Sequence, residues 1–264
     1  MSDNYSGRTI VITGGTSGIG LATTKRFLSA GANVAICGRD ETRLENALSA
    51  IKSEFGEERL LGVSCDVLNK KQVSDFADAV VDRFGGVDTL VNNAGQARLS
   101  TFENTDEDAW REEFELKFFS IIHPSKRFQS HLKKSGSGAI VCVSSLLSRQ
   151  PEPRLVATSA VRAGQLNLIH SMAAELAPAI RINSILIGVI ISGQWHHRFE
   201  SAENAGNDFD SWVQKQAVEK GIPLGRFGQP EEAANAIFFL GTPMSSYTTG
   251  STIDLSGGYS RHVG

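Results

Sequence analysis

The sequence predicts an α/β fold, a doubly wound parallel sheet with helices on both faces. Three observations predict it. Short apolar runs alternate with longer amphipathic stretches along all 264 residues. Several runs are continuous in Val and Ile, as strands buried on both faces require. A glycine-rich turn links the first run to the first helix, the layout of a βαβ unit.

The strands are expected at Thr9–Ile12, Asn33–Cys37, Leu60–Cys65, Thr89–Val91, Ala139–Val143, Arg181–Ile187 and Thr252–Leu255. Between them, helical patterns run over Gly18–Ala30, Glu41–Phe55, Lys70–Phe84, Glu107–Leu132, Arg154–Ala177 and Glu231–Leu240. Gly31 and Gly85 stand where glycine ends a helix, and Asp40 and Asn69 where a side chain starts one. Pro124, after His123, is expected to kink or break the fourth helix. One domain spans residues 1–264. The polar segment 188–223, with Trp195, His196, His197, Phe199 and Trp212, interrupts the alternation and reads as a substrate lid.

Composition narrows the function classes. The net charge is -3, and no basic stripe or polybasic run appears. Nucleic acid is therefore not an expected partner. No apolar run reaches the ~20 residues of a membrane span, and the polar start is not expected to be a signal peptide. Cys37, Cys65 and Cys142 show no metal spacing and read as buried, reduced thiols of a cytoplasmic protein. Adjacent His196 and His197 would point apart in a helix, which argues against joint metal ligation, and no metal site is expected. His170 reads as a packed helix residue.

The first chemistry-bearing motif is Thr13-Gly14-Gly15-Thr16-Ser17-Gly18-Ile19-Gly20. Glycines let the backbone approach a pyrophosphate, and the helix start offers free N–H groups. The second strand then ends in Cys37-Gly38-Arg39-Asp40. No acid stands at the strand end to take a ribose 2′-hydroxyl. Arg39 can fork a 2′-phosphate, and Asp40 reads as a helix cap, so the cofactor expected is NADP(H).

With those motifs in place, the chain resembles the short-chain dehydrogenase/reductase family nearly end to end. The residue 13–20 turn is similar to the family's Thr-Gly-x-x-x-Gly-x-Gly. Asp66, beside Val67, looks like its adenine-contacting acid. Asn92-Asn93-Ala94-Gly95 looks like its Asn-Asn-Ala-Gly segment. Pro223-Leu224-Gly225-Arg226, Pro230-Glu231-Glu232 and the Thr249-Gly250 to Gly257-Gly258 ending are similar to its late signatures. The resemblance implies a Rossmann-like sheet in the order 3-2-1-4-5-6-7 and hydride transfer to or from a nicotinamide. It also implies a homo-oligomer, tetramer or dimer. The cofactor residues it implies are Gly14, Thr16, Ser17, Gly18, Ile19, Gly20, Arg39, Asp66, Val67, Asn93, Ala94, Gly95, Arg162 and Gly188.

The catalytic positions depart from the family's Asn, Ser, Tyr and Lys. Alignment on Ala139–Val143 keeps Ser145, but places Thr158 at the tyrosine, Arg162 at the lysine and Lys117 at the asparagine. Threonine is a poor general acid beside a phenol. None of Tyr5, Tyr247 and Tyr259 falls where a replacement is needed. Arg162, one helical turn from Thr158, can bind a ribose but does not shuttle protons. Lys117 is therefore the candidate proton donor or oxyanion clamp, with Ser145 and Thr158 as hydrogen-bond partners. Together with Arg98, Arg149 and Arg154, Lys117 and Arg162 suggest an anionic substrate, a carboxylate or an acyl phosphate. Three readings stay open: an oxidoreductase with a rearranged proton donor, a relative that holds NADP(H) as sensor or partner subunit without hydride chemistry, and a dehydratase or epimerase.

Overall fold

The computed structural model describes residues 4–201 and 208–262. The lid segment is therefore described on either side of residues 202–207, which lie outside the described residues. Strands and helices alternate as the apolar runs demand. Seven strands are described: β1 (Thr9–Thr13), β2 (Asn33–Gly38), β3 (Leu60–Ser64), β4 (Thr89–Asn92), β5 (Gly138–Ser145), β6 (Ile180–Ile187) and β7 (Thr252–Leu255). They form one sheet in the order β3-β2-β1-β4-β5-β6-β7, parallel throughout. Ile10 sets the central register, opposite Val34 on one side and Thr89 on the other.

The helices are α1 (Gly18–Ser29), α2 (Glu41–Phe55), α3 (Lys70–Phe84), α4 (Glu107–Lys134), α5 (Val156–Leu176), α6 (Gly193–Ser201), α7 (Phe209–Glu219) and α8 (Pro230–Gly241). Strand side chains alternate between the faces of the sheet. Ile10 and Ile12 meet Phe27 and Leu28 of α1, Ile51 of α2 and Ile237 of α8. Val11 and Ala35 meet Phe76 of α3, Phe128 of α4 and Ile169 of α5. The sheet is thus sandwiched between α1, α2 and α8 on one side and α3, α4 and α5 on the other.

Local chemistry fixes the helix ends. The Asp40 side chain accepts from the Arg43 amide, and that of Asn69 from the Lys71 and Gln72 amides. Gly31 and Gly85 take φ of +88° and +81°, conformations open to glycine at little cost. The expected break at Pro124 does not occur, for α4 runs unbroken from Glu107 to Lys134. Pro124 is buried, and packing of this long helix offsets the ~3 kcal/mol that an interior proline costs. The three cysteines are free and buried. Although distant in sequence, Cys37 and Cys65 lie in the same buried cluster.

Segment 188–223 leaves the C-terminal end of β6 and holds two described helices that its sequence pattern did not predict. Their apolar side chains close on each other: Trp195 lies 4.7 Å from the Phe227 ring and 6.1 Å from Trp212. Val213, Ala217 and Ile222 complete this separate small core.

Candidate active site

The glycine turn follows β1 and opens α1. Ser17, the residue capping α1, is extended and makes no side-chain cap bond, so the first amides of the helix are not taken by it. Gly18 has φ of +51° with open space around it. Gly20 cannot carry a side chain, because a Cβ there would lie 2.1 Å from the Gly14 carbonyl oxygen. At Gly14, a Cβ would meet the Asn93 amide at 3.0 Å. Asn93 in turn donates to the Thr13 and Gly14 carbonyls, both at 3.0 Å. The Thr13 hydroxyl accepts from the Asn93 and Ala94 amides. Turn and β4 exit are thereby tied together. Thr16 packs on Gly38, where a Cβ would lie 2.9 Å from its methyl group, and Ile19 packs against the α1-side core.

At the end of β2, Arg39 is exposed, and no ion pair or hydrogen bond holds its side chain among the described residues. Asp40 is occupied, capping α2 and pairing with Arg43 at 3.4 Å. Asp66 accepts from the Leu68 amide, and the Val67 carbonyl meets the His123 ring at 3.0 Å. These features fit a dinucleotide bearing an extra phosphate: a turn without side chains, amides at a helix mouth and an unengaged guanidinium.

Five polar side chains meet between α4 and α5. Lys117 and Glu113, one turn apart on α4, are 1% and 3% exposed and lie 3.3 Å apart. The Thr158 hydroxyl donates to the same Glu113 oxygen at 2.7 Å. Lys117 Nζ also donates to the Gln96 carbonyl at 2.5 Å. Arg162 donates to the Val143 carbonyl at 3.0 Å and to Gln165 at 2.9 Å. Gln165 donates to the Lys117 carbonyl at 2.7 Å, joining both helices. The Arg162 Nε is buried with no partner among the described residues, while its Nη2 points toward Gly95, 3.9 Å from where a Cβ would be. Burial pulls the Lys117 ammonium down to about 8, helped by the Arg162 charge and opposed by Glu113. Burial likewise pulls Arg162 down to about 10, again opposed by Glu113.

Ser145 ends β5, with long contacts only, 3.3 Å to the Leu147 amide and 3.4 Å to the Ile187 carbonyl. Gly188 follows β6 and packs against Ser256, 2.9 Å from an added Cβ.

A family model described as enoyl-(acyl carrier protein) reductase matches residues 14–260. This chain is a member of the short-chain dehydrogenase/reductase family. Among solved structures it is similar to a short chain oxidoreductase from Pseudomonas aeruginosa PAO1 "containing an atypical catalytic center". The apo form of that protein is 54% identical with a TM-score of 0.97, covering 98% of this chain and 100% of the other. Its NADPH-bound form is 53% identical with a TM-score of 0.94, covering 98% and 99%. L-sorbose reductase from Gluconobacter frateurii, complexed with NADPH and L-sorbose, is 31% identical with a TM-score of 0.93 and full coverage of both chains. A 3alpha-hydroxysteroid dehydrogenase from Mediterraneibacter gnavus is 30% identical over 94% of each chain.

As a short-chain dehydrogenase/reductase, the chain offers no tyrosine in place of Thr158. Tyr5 is buried against Phe27 and Phe238, and Tyr247 is fully exposed. Tyr259 packs between the small core around Phe227 and Leu146 and donates to Glu152 at 3.3 Å. Burial and the Glu152 charge push its phenol up, away from acid function. Arg98 is engaged by Glu112, and Arg149 donates to Thr252 at 3.0 Å. Arg154 is exposed. His170 is exposed rather than packed, because it falls on the outward face of α5. His196 stacks on Phe209 at 4.0 Å, while the His197 side chain lies outside the described residues. Groups able to hold a metal are absent among the described residues. No described helix is long and apolar enough to cross a membrane.

Sequence reasoning missed Glu113. The signal was its spacing, four residues before Lys117 on one helix face. It was hidden in a run with Glu112 and Glu115, which looks like a solvated surface.

Proposed function

We propose that this chain is an NADP(H)-dependent oxidoreductase acting on a small carbonyl or hydroxyl substrate, with Lys117 supplying the proton. A nicotinamide held at this site would supply or accept the hydride. The observation that carries the reading is the buried Lys117 ammonium, pulled down to about 8 beside Arg162. A carbonyl oxygen gains negative charge as its carbon is reduced, and a donor poised near neutrality meets it best. Thr158 is a weaker acid, and its proton is already directed at Glu113. Ser145, held only by long contacts, has a hydroxyl for the same substrate oxygen. Arg162 stays charged at neutral pH and offers its remaining N–H groups to a ribose. Arg39 takes the 2′-phosphate, a preference supported by the NADPH-bound neighbour at 53% identity. Of the five cations near the site, Lys117, Arg98, Arg149 and Arg162 already have protein partners. A preference for an anionic substrate thus rests on exposed Arg154 and the single net charge of Lys117, Arg162 and Glu113.

A second reading has one observation behind it. Lys117 and Thr158 are each 1% exposed, beneath the backbone of Gln96 and Arg98. A family member built this way could hold NADP(H) as a sensor or partner subunit without turning over. In the oxidoreductase reading the substrate oxygen displaces the Gln96 carbonyl from the ammonium. The two readings are separated by following nicotinamide absorbance with NADPH against ketones, aldehydes, keto acids and acyl phosphates, and with NADP against alcohols and hydroxy acids. Turnover of any class supports the enzyme and ranks neutral against anionic substrates. Tight NADPH binding with no oxidation across the panel supports the second reading. Association as a dimer or tetramer is part of the proposal. Phe114, half exposed on α4 and stacked on Phe118 at 4.4 Å, marks an apolar face, and light scattering reads the state.

A further inference from the structure

We infer that Glu113 is the positioning residue of the proton donor, accepting the Thr158 hydroxyl hydrogen bond and holding Lys117 as an ammonium beside Arg162. The inference rests on the oxidoreductase reading for its purpose, and on geometry for its content. One carboxylate oxygen, Oε2 of Glu113, faces both groups, at 2.7 Å from the Thr158 hydroxyl and 3.3 Å from Lys117 Nζ. Glu113, Lys117 and Thr158 are all nearly inaccessible to solvent. A buried carboxylate without partners is costly, so both contacts are needed to keep it.

The threonine has one proton and two possible takers. The Arg98 carbonyl lies at 3.3 Å, while the carboxylate is closer and charged. Charge-assisted bonds are shorter and stronger, so the hydroxyl donates its hydrogen bond to Glu113. The Arg98 amide, also at 3.3 Å, donates to the Thr158 oxygen in return. Thr158 therefore presents lone pairs and acts as an acceptor. Proton donation falls to Lys117, whose ammonium has three N–H bonds. Two described acceptors, Glu113 and the Gln96 carbonyl, face it, and the substrate oxygen takes the place of the Gln96 carbonyl.

Charge accounting gives the second half of the role. The charged groups facing Lys117 are Glu113 on its own helix, Arg162 from α5 and Arg98 from the segment after β4. Arg98 is itself neutralised by Glu112. With Glu113 ionised, the buried trio of Lys117, Arg162 and Glu113 carries one net positive charge. Without it, two cations face each other out of water. Arginine holds its proton, so lysine is the group that gives one up. Glu113 thus decides whether Lys117 has a proton to donate at neutral pH.

The test reads Lys117 directly in ligand-free protein. Lysine labelled with carbon-13 at Cε is incorporated, and the Lys117 signal is assigned by its loss in Lys117→Arg. The wild-type midpoint is expected at about 8. Glu113→Gln keeps the shape and removes the charge, and it should lower the midpoint by about one unit or more, a tenfold loss of proton affinity. A midpoint unchanged in Glu113→Gln overturns the inference. Should that variant fail to fold, Glu113→Asp retains the charge but draws it back by one methylene. It should lower the midpoint by a smaller amount, and an unmoved midpoint overturns the inference equally. Neither NADPH binding nor turnover enters this readout, so failure of the oxidoreductase reading is seen separately.

Discussion

Lys117 is the residue on which the chemistry turns, and its two neighbours give it opposite instructions. Arg162 repels its charge and Glu113 retains it. Lys117→Met should lower kcat by about 10²–10⁴-fold, the usual contribution of a positioned acid, with NADPH affinity unchanged. Turnover at saturating NADPH checks the first part and calorimetry the second. In the reductive direction the donor must be protonated, so kcat/KM should fall as pH rises through about 8. The stability sign runs the other way. Lys117 sheds its proton at about 8 in the folded protein, against 10.5 for an ordinary lysine. Between those values the unfolded chain binds more protons, so stability rises with pH across that window and is lowest below it. Urea midpoints measured on either side of the window check the sign, with Lys117→Met expected to remove the rise.

At the scale of the element, the glycine turn is the most constrained segment. Gly20→Ala would press a methyl group onto the Gly14 carbonyl at 2.1 Å, and overpacking of that kind costs about 1–3 kcal/mol. The variant should melt earlier and lose NADPH binding, as thermal unfolding and titration would report. These elements were legible because each carries a local signature. Asp40 and Asn69 announced helix starts, and the Val/Ile runs announced strands. The two helices of segment 188–223 are too short for their period to stand out. α6 and α7 are 9 and 11 residues long, and their apolar side chains meet one another and Phe227, just beyond the segment. Pro124 misled in the other direction. Its local penalty was plain, whereas the packing that offsets it comes from elements remote in sequence.

For the whole molecule, the two cores hold the sheet between its helix layers. Phe27 is fully buried, 5.0 Å from Phe238 and 6.0 Å from Tyr5. Phe27→Ala should cost about 3–5 kcal/mol, measured by denaturant unfolding. The order of the strands and the glycine turn could be anticipated, because an unbroken alternation with a phosphate turn at its start admits few topologies. The meeting of Glu113 with Thr158 could not, since the two lie 45 residues apart and touch only when α4 packs on α5. Likewise, sequence alone did not show that Arg98 meets Glu112 and Arg149 meets Thr252. Sequence shows which charges are present, and packing decides which remain available.

The central claim is that the fold grips a phosphorylated dinucleotide through the helix mouth and Arg39, so paired calorimetric titrations with NADPH and NADH test it most directly. The account predicts that NADPH binds about tenfold to a hundredfold tighter than NADH, the worth of ~1.5–3 kcal/mol for a hydrogen-bonded charge pair. It also predicts that Arg39→Ala erases the difference while leaving NADH binding in place. Equal affinity for the two in the wild type, or no heat with either, would contradict it.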